Sequence, residues 1–377
     1  MSTLATLLKE SWSIVDDRAD HLAQYLYARL FLADPNVREL FPVQMTEQRS
    51  RMLDALVAAV QTIDDPERFD QVMRALGRDH RRFHVRPEHY PLLGSALLDA
   101  LRRYAGEQWS IEYDQAWRDA YDMMTRKMLT GAERDHDSPP FWLAEVIEHD
   151  RRGRDIAVLT CAPLTPYPFR AGQYASVESS HQPRQWRTYS IANAPRADGT
   201  LELHVRAPSH GWVSAALVRR TRVGDVLRLG PPLGTMTLDP GSTRDVVAVA
   251  GGTGYAAIKA LVQEMARYNR SRWMHVFVGA RNPDELYDLP ALLALARRHP
   301  WLSVVAACSD DPDYSGETGP VHEVLERYGP WGRHDVFVCG PAPMVRGTLG
   351  SLARMGVAQV RIRYDTAASL ADLGSTR

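Results

Sequence analysis

Cysteine is scarce: Cys161, Cys308 and Cys339 are the only three in 377 residues. They are widely separated and odd in number, which excludes a disulfide framework and a thiolate zinc site. Nor do they reach the four thiolates that normally hold an iron–sulfur cluster. Charge of one sign is also lacking, with 45 Lys and Arg against 46 Asp and Glu. No electrostatic footprint therefore points to nucleic acid or to an anionic membrane. Long apolar runs are absent, none approaching the roughly 18 residues of a membrane span. The first twelve residues carry no basic stretch followed by an apolar one and read as the start of an amphipathic helix. These absences predict a cytoplasmic globular protein without a membrane segment or an obligatory protein partner. Its length calls for two or three domains.

What is present falls into three textures. Residues 1–135 read helical throughout. Leu53, Leu56, Val60 and Ile63 recur at spacings of three and four, as do Trp117, Tyr121, Met124 and Met128. Breaks fall at Asp34-Pro35, Phe41-Pro42, Asp65-Pro66 and Arg86-Pro87. A polar, proline-terminated stretch from Gly131 to Pro140 predicts a linker. Over 141–240, Leu201, Leu203 and Val205 alternate with polar residues between closely spaced turns, which predicts an antiparallel barrel. Over 241–377, apolar runs (246–250, 276–278, 302–306, 336–338) alternate with helical stretches, the pattern of a parallel sheet with crossover helices. The expected order is all-α domain, barrel, α/β domain.

Motifs sit at the predicted strand ends. The run Val246–Ala250 leads into Gly251-Gly252-Thr253-Gly254-Tyr255 and then a helical stretch. Strand, glycine turn and helix start together make an anion site, because glycine admits close backbone approach and the helix start offers free N–H groups. A second turn, Cys339-Gly340-Pro341, follows another apolar run and converges on the same crevice. Within the barrel region lies Arg187-Thr188-Tyr189-Ser190, where alternation throws Arg187 and Tyr189 to one face and Thr188 and Ser190 to the other. An arginine for a pyrophosphate, an aromatic face and a hydroxyl for a flavin ring are the groups FAD needs. Gly211-Trp212-Val213-Ser214 then opens a helix.

The ordered set, Gly172-Gln173-Tyr174, then R-T-Y-S, G-W-V-S, G-G-T-G and C-G-P, resembles the ferredoxin–NADP reductase superfamily from residue 141 to about 365. That resemblance implies FAD held by Tyr174, Arg187, Thr188, Tyr189 and Ser190, with Gly211, Trp212, Val213 and Ser214 over its pyrophosphate. It gives the nicotinamide cofactor to Gly251 through Tyr255, on to Ala257, with Cys339, Gly340 and Pro341. Asp365 stands where the superfamily has a C-terminal acid. The aromatic that often covers the flavin two residues later is replaced by Ala367, and a proline usual after the glycine turn is replaced at Ala256-Ala257. Arg281 could clamp a 2′-phosphate, whereas Asp284 and Glu285 would repel one, so NADH is favoured and NADPH stays open.

In the helical third, His80 lies in Gly77-Arg78-Asp79-His80-Arg81-Arg82-Phe83, with His84 and His89 nearby. Phe41 follows Leu40 and precedes Pro42. Gln48 shares a helix face with Met52 and Leu56, and Tyr27 lies fourteen residues before Phe41. Residues 1 to about 135 resemble the globin part of flavohaemoglobins, and with the reductase this likeness covers nearly the whole chain. The resemblance implies haem b, with His80 on the iron, His84 and His89 being the rivals. Phe41 wedges the haem, Tyr27 and Gln48 line the distal side, and Tyr90 supports the proximal side. Asp79 replaces a common lysine. The carboxylate of the proximal network falls by counting on Arg134, with Glu133 one place away. The expected reaction passes electrons from NAD(P)H through FAD to haem and oxidises nitric oxide to nitrate with dioxygen. A flavohaem reductase of peroxides, quinones or external acceptors and a haem-based sensor are the alternatives.

Overall fold

The computed structural model describes residues 3–209, 211–269 and 271–366. The chain divides into two compact units between Phe141 and Trp142.

The first unit is all-α among the described residues: α1 (Leu4–Val15), α2 (Ala19–Ala33), α3 (Thr46–Thr62), α4 (Pro66–His80), α5 (His89–Ala105) and α6 (Ile111–Arg134). The Asp-Pro breaks are helix starts. Asp65 Oδ1 accepts the Arg68 N–H at 3.1 Å while Pro66 takes the first helical position, where its missing N–H costs nothing. Ser110 caps α6 in the same way, accepting from the Tyr113 N–H. Trp117 of α6 is fully buried and donates to Ser11 of α1, so the central aromatic keeps its polar atom satisfied. The expected linker is shorter than its composition suggests: α6 continues through Gly131 to Arg134. Gly131 is helical because it packs. A Cβ there would lie 2.3 Å from the Arg74 carbonyl oxygen of α4.

The second unit begins with β1 (Trp142–Arg152), β2 (Ile156–Pro163), β3 (Tyr174–Ser179), β4 (Arg187–Ser190), β5 (Leu201–Arg206), α7 (Trp212–Arg219) and β6 (Val226–Leu229). The strands form an antiparallel sheet in the order β4-β3-β6-β1-β2-β5. Its outer strands meet where Ile191, just past β4, bridges Leu203 of β5, closing a barrel. Then follow β7 (Val246–Gly251), α8 (Tyr255–Tyr268), β8 (Met274–Ala280), α9 (Leu289–Arg298), β9 (Leu302–Cys308), β10 (Glu317–Thr318), α10 (Val321–Tyr328), β11 (Asp335–Gly340), α11 (Ala342–Arg354) and β12 (Ile362–Thr366). They make a parallel sheet in the order β10-β9-β8-β7-β11-β12. The central strands β7 and β11 are buried along their whole length, which is why they read as unbroken apolar runs.

Candidate functional site

In the first unit, His80 ends α4 and lines a cavity of about 390 Å³ with Gly77, Val85, Tyr90, Leu129 and Glu133 among its neighbours. Its Nδ1 lies 2.7 Å from the Leu76 carbonyl, the geometry of a ring N–H donating to backbone. That bond fixes the tautomer and leaves Nε2 as a lone pair for a metal. Burial pushes the His80 imidazole below its ordinary value, toward the neutral form a metal ligand needs. The residues present therefore fit an iron porphyrin. His84 and His89 are occupied otherwise. His84 closes a turn in the left-handed region at φ 58°, its ring edge-on to Phe141. His89 accepts the Arg86 N–H at Nδ1, 3.1 Å away, at the start of α5.

Of Arg134, where counting along the chain places the proximal carboxylate, and Glu133 one place off, only the second is at the cavity. The register of α6 on α4 decides between them. Tyr90 shares the cavity, its backbone carbonyl accepting from Tyr121 at 2.7 Å.

The other set of polar groups lies between α2 and α3. Gln48 Nε2 donates to the Tyr27 hydroxyl at 3.3 Å, and Tyr27 is buried. Burial outweighs the Gln48 hydrogen bond and the nearby Arg49, so the phenol is pushed up to about 12. Phe41 packs edge-on to Tyr27 with centroids 5.3 Å apart. Arg38 pins its loop by donating to the carbonyls of Phe41 and Val43, each at 3.1 Å.

In the second unit the sequence motifs converge. β3 and β4 pair so that Tyr174 faces Ser190 and Ala175 faces Tyr189. The Tyr189 hydroxyl is buried without a hydrogen-bond partner, which suits a cradle that a ligand completes. Gly211 is the N-cap of α7 and accepts from Ser214 Oγ. Val213 belongs to the barrel core, whereas the Trp212 side chain is 58 % exposed, so these two offer a ligand little beyond backbone.

β7 and β11 are neighbours, and their glycine turns touch. A Cβ on Gly254 would lie 2.4 Å from the Cys339 carbonyl oxygen, and one on Gly251 would lie 2.5 Å from Met344 Sδ. Gly252 adopts φ +52°, which favours glycine, with the Arg206 guanidinium of β5 beside it. Thr253 completes the turn into α8, with Tyr255 buried and Pro341 exposed. Burial, reinforced by the Asp365 carboxylate, pushes the Cys339 thiol up against a hydrogen bond from Ser190. Ser190, Cys339 and Asp365 thus join the flavin motif, the second glycine turn and the C-terminal strand. Tyr364, one residue back on β12 and 45 % exposed, alternates to the side of the strand opposite Asp365. Ala367 lies outside the described residues.

Three family models match the chain: the globin over residues 24–128, the oxidoreductase FAD-binding domain over 144–238 and the oxidoreductase NAD-binding domain over 248–349. A flavohemoprotein of Bordetella pertussis is 28% identical over 95% of this chain and 96% of its own length. The reductase component of phenol 2-monooxygenase from a Pseudomonas species is 31% identical over 58% of this chain and 66% of its own. The flavohemoglobin of Malassezia yamatoensis, solved with FAD and heme, shares the fold at a TM-score of 0.79 and 18% identity, over 97% of this chain and 99% of that one. Fold and motifs together define a haem globin continuous with a flavin- and nicotinamide-dependent oxidoreductase. The chain joins a globin domain to FAD-binding and NAD-binding oxidoreductase domains, in the order of the flavohaemoproteins that it resembles over nearly its whole length.

Three contributors escaped the sequence reading. Arg206 looked like one more polar residue on an alternating strand. The Leu76 carbonyl carries no side-chain signal, and the glycine contact between α4 and α6 needs two helices to be seen. For Glu133, the only signal was its place one residue from the expected position.

Proposed function

We propose that this chain is a flavohaemoprotein that uses NADH and dioxygen to oxidise nitric oxide to nitrate in the cytoplasm. The observation that carries the reading is the buried Tyr27 held by the half-buried Gln48, in the same unit as a neutral, cavity-facing histidine. When bound, haem b supplies an iron that changes charge by one electron and takes a diatomic gas, and FAD splits the nicotinamide's electron pair. Around them, His80 presents Nε2 to the iron, Leu76 and Glu133 orient and polarise the proximal side, and Tyr90 packs beside them. Gln48 satisfies the Tyr27 oxygen, which leaves the phenol proton free to point at a gas ligand. Tyr174, Arg187, Thr188, Tyr189 and Ser190 hold the flavin, and Gly211 to Ser214 cover its pyrophosphate. The turns at Gly251–Tyr255 and Cys339–Pro341 hold the nicotinamide cofactor, with Asp365 and Ser190 bracketing Cys339. Three buried, unpaired cysteines suit a reducing compartment.

The test is anaerobic reduction by NADH, followed by dioxygen and nitric oxide with nitrate measured. We expect the haem to be reduced through FAD and one nitrate to form per nitric oxide. The reductase half's 31% identity with a monooxygenase reductase component supports a second reading, electron delivery to external acceptors. Haem reduction without nitrate, together with fast reduction of quinones or peroxides, would replace the first reading with that one.

Tyr27→Phe should leave haem and FAD content unchanged and speed dioxygen release. A hydrogen bond to a charged oxygen is worth about 1.5–3 kcal/mol, so stopped-flow release should quicken roughly ten- to a hundredfold. With the Tyr27 phenol pushed up to about 12, the neutral donor persists below that value. The release rate of the unaltered protein should therefore stay flat to about pH 10, where an ordinary tyrosine would already be titrating. A step near pH 10 would place Tyr27 in water.

Cofactor choice has a structural handle. Arg281, just past β8, is paired with Glu285, whose carboxylate also lies 3.2 Å from Arg206. The arginine suited to a 2′-phosphate is thus already neutralised, which favours NADH. Glu285→Gln should raise kcat/KM for NADPH about tenfold, the equivalent of one charge-assisted hydrogen bond of about 1.5 kcal/mol. Steady-state rates with both nucleotides decide it, and an unchanged NADPH value would show that Arg281 does not face the ribose.

A further inference from the structure

Where the barrel meets the nucleotide-binding sheet, the second unit buries a group of charges that no cofactor motif uses. The Glu202 carboxylate on β5 accepts from Arg196 at 2.8 Å, His204 Nε2 at 2.7 Å and Lys259 Nζ of α8 at 2.5 Å. Lys259 Nζ also lies 3.1 Å from Asp288 Oδ2 in the turn before α9, and His204 Nδ1 lies 2.6 Å from the Tyr287 hydroxyl. The side chains of Glu202, His204 and Asp288 are 9, 0 and 3 % exposed. Burial pushes His204 down, so it is neutral and bridges Glu202 and Tyr287 through its two ring nitrogens. For Glu202, burial acts upward, but the His204 hydrogen bond and the Lys259 ammonium together hold the carboxyl well below the usual range.

Burying ions costs several kcal/mol each before pairing, so apolar contacts would join two subdomains more cheaply. What a charge cluster adds is one allowed register, since every displacement leaves a buried charge unmatched. Glu202 sits where register matters. Its backbone carbonyl accepts the Ala192 N–H at 2.7 Å, two residues beyond Ser190 of the flavin motif. The same residue's carboxylate holds Lys259, four residues beyond Tyr255 at the glycine turn. One residue therefore ties the flavin strand to the nicotinamide helix.

We propose that Glu202 and Lys259, backed by His204, Tyr287 and Asp288, are positioning residues for hydride transfer, setting the nicotinamide turn at its working distance from the flavin strand. This rests on the reading that a nicotinamide cofactor reduces FAD within this unit. Failure of NADH to reduce the flavin of the unaltered protein would sink that reading, whereas the variants below test the positioning alone.

The full-length holoprotein is compared with Glu202→Gln, Lys259→Met and the double variant. Readouts are FAD content, melting temperature and the saturating rate of flavin reduction by NADH in anaerobic stopped flow. A misplacement of about 1 Å costs up to roughly a hundredfold in rate, so each single variant should retain FAD and slow reduction ten- to a hundredfold. The double variant leaves neither Glu202 nor Lys259 as an orphaned charge. Asp288 then keeps only Arg152, 3.9 Å away, so the melting temperature should recover in part while the rate stays low, and Lys259→Arg should keep most of the rate. Should a single variant not fold, Tyr287→Phe removes only the hydroxyl facing His204 and should slow reduction severalfold with FAD intact. Rates that recover together with stability in the double variant would reduce the cluster to a structural one. Unchanged rates in the folded variants would overturn the proposal outright.

Discussion

His80→Ala should emerge from expression with its FAD in place and almost no haem. The two cofactors are assigned to separate compact units, so losing one ligand need not disturb the other site. Within the helical unit, His80 is the histidine that combines a cavity, a neutral ring and a bonded Nδ1. Disturbing only the outer partner of a metal ligand costs about ten- to a hundredfold in affinity, so removing the ligand itself should cost at least about a hundredfold. Haem is read as the pyridine complex and FAD from the absorbance of the released flavin. Should the variant still hold stoichiometric haem on a histidine, the role would pass to His84 or His89. Either would first have to give up its present contact, with Phe141 for His84 and with the Arg86 N–H for His89.

The sequence showed most clearly what depends on short spacings. Glycine turns, the R-T-Y-S strand and the Asp-Pro helix starts are local: the turns and starts lie at element ends, and R-T-Y-S is the whole of β4. The division into helical, barrel and α/β textures was equally legible, because core burial imposes periods of 3.6 and 2 on whole segments. What could not be read was anything set by two elements at once. Gly131 looked like the start of a linker because glycine is a poor helix former, yet close packing against Arg74 gives it a place inside α6. Counting landed on Arg134 because a linear offset ignores which side of α6 faces the cavity. The Glu202 cluster left no motif at all: its members come from β5, α8 and the turn before α9, and each alone resembles a surface charge.

The same packing yields the other large effect, at the α4–α6 crossing. Gly77→Ala should strongly weaken the helical unit and, with it, haem retention, although alanine is the better helix former. In an exposed helix the exchange would gain about 1 kcal/mol. Here the new Cβ would lie 1.9 Å from the Met128 carbonyl oxygen and 2.5 Å from its carbonyl carbon, both backbone atoms of α6. No rotamer relieves a clash with backbone, so α4 has to move bodily away. Overpacking typically costs about 1–3 kcal/mol even where side chains can yield, and a backbone clash belongs at or above the top of that range. The net loss should therefore be about 2 kcal/mol or more, which is roughly 5–10 °C in the melting temperature of a unit this size. Gly131→Ala meets the reciprocal obstacle, Arg74 backbone at 2.3–2.8 Å, and should behave alike. Both glycines lie beside the groups that line the His80 cavity, so the displaced α4 carries His80 away from Glu133. The ferrous Fe–His stretching band should shift or broaden in whatever haem-bound fraction survives. Gly106→Ala is the comparison for backbone strain: its φ is +58° but its Cβ meets nothing within 4 Å, so it should cost stability without moving that band. An unshifted band and an undiminished melting temperature in Gly77→Ala would mean that α4 and α6 do not cross this closely.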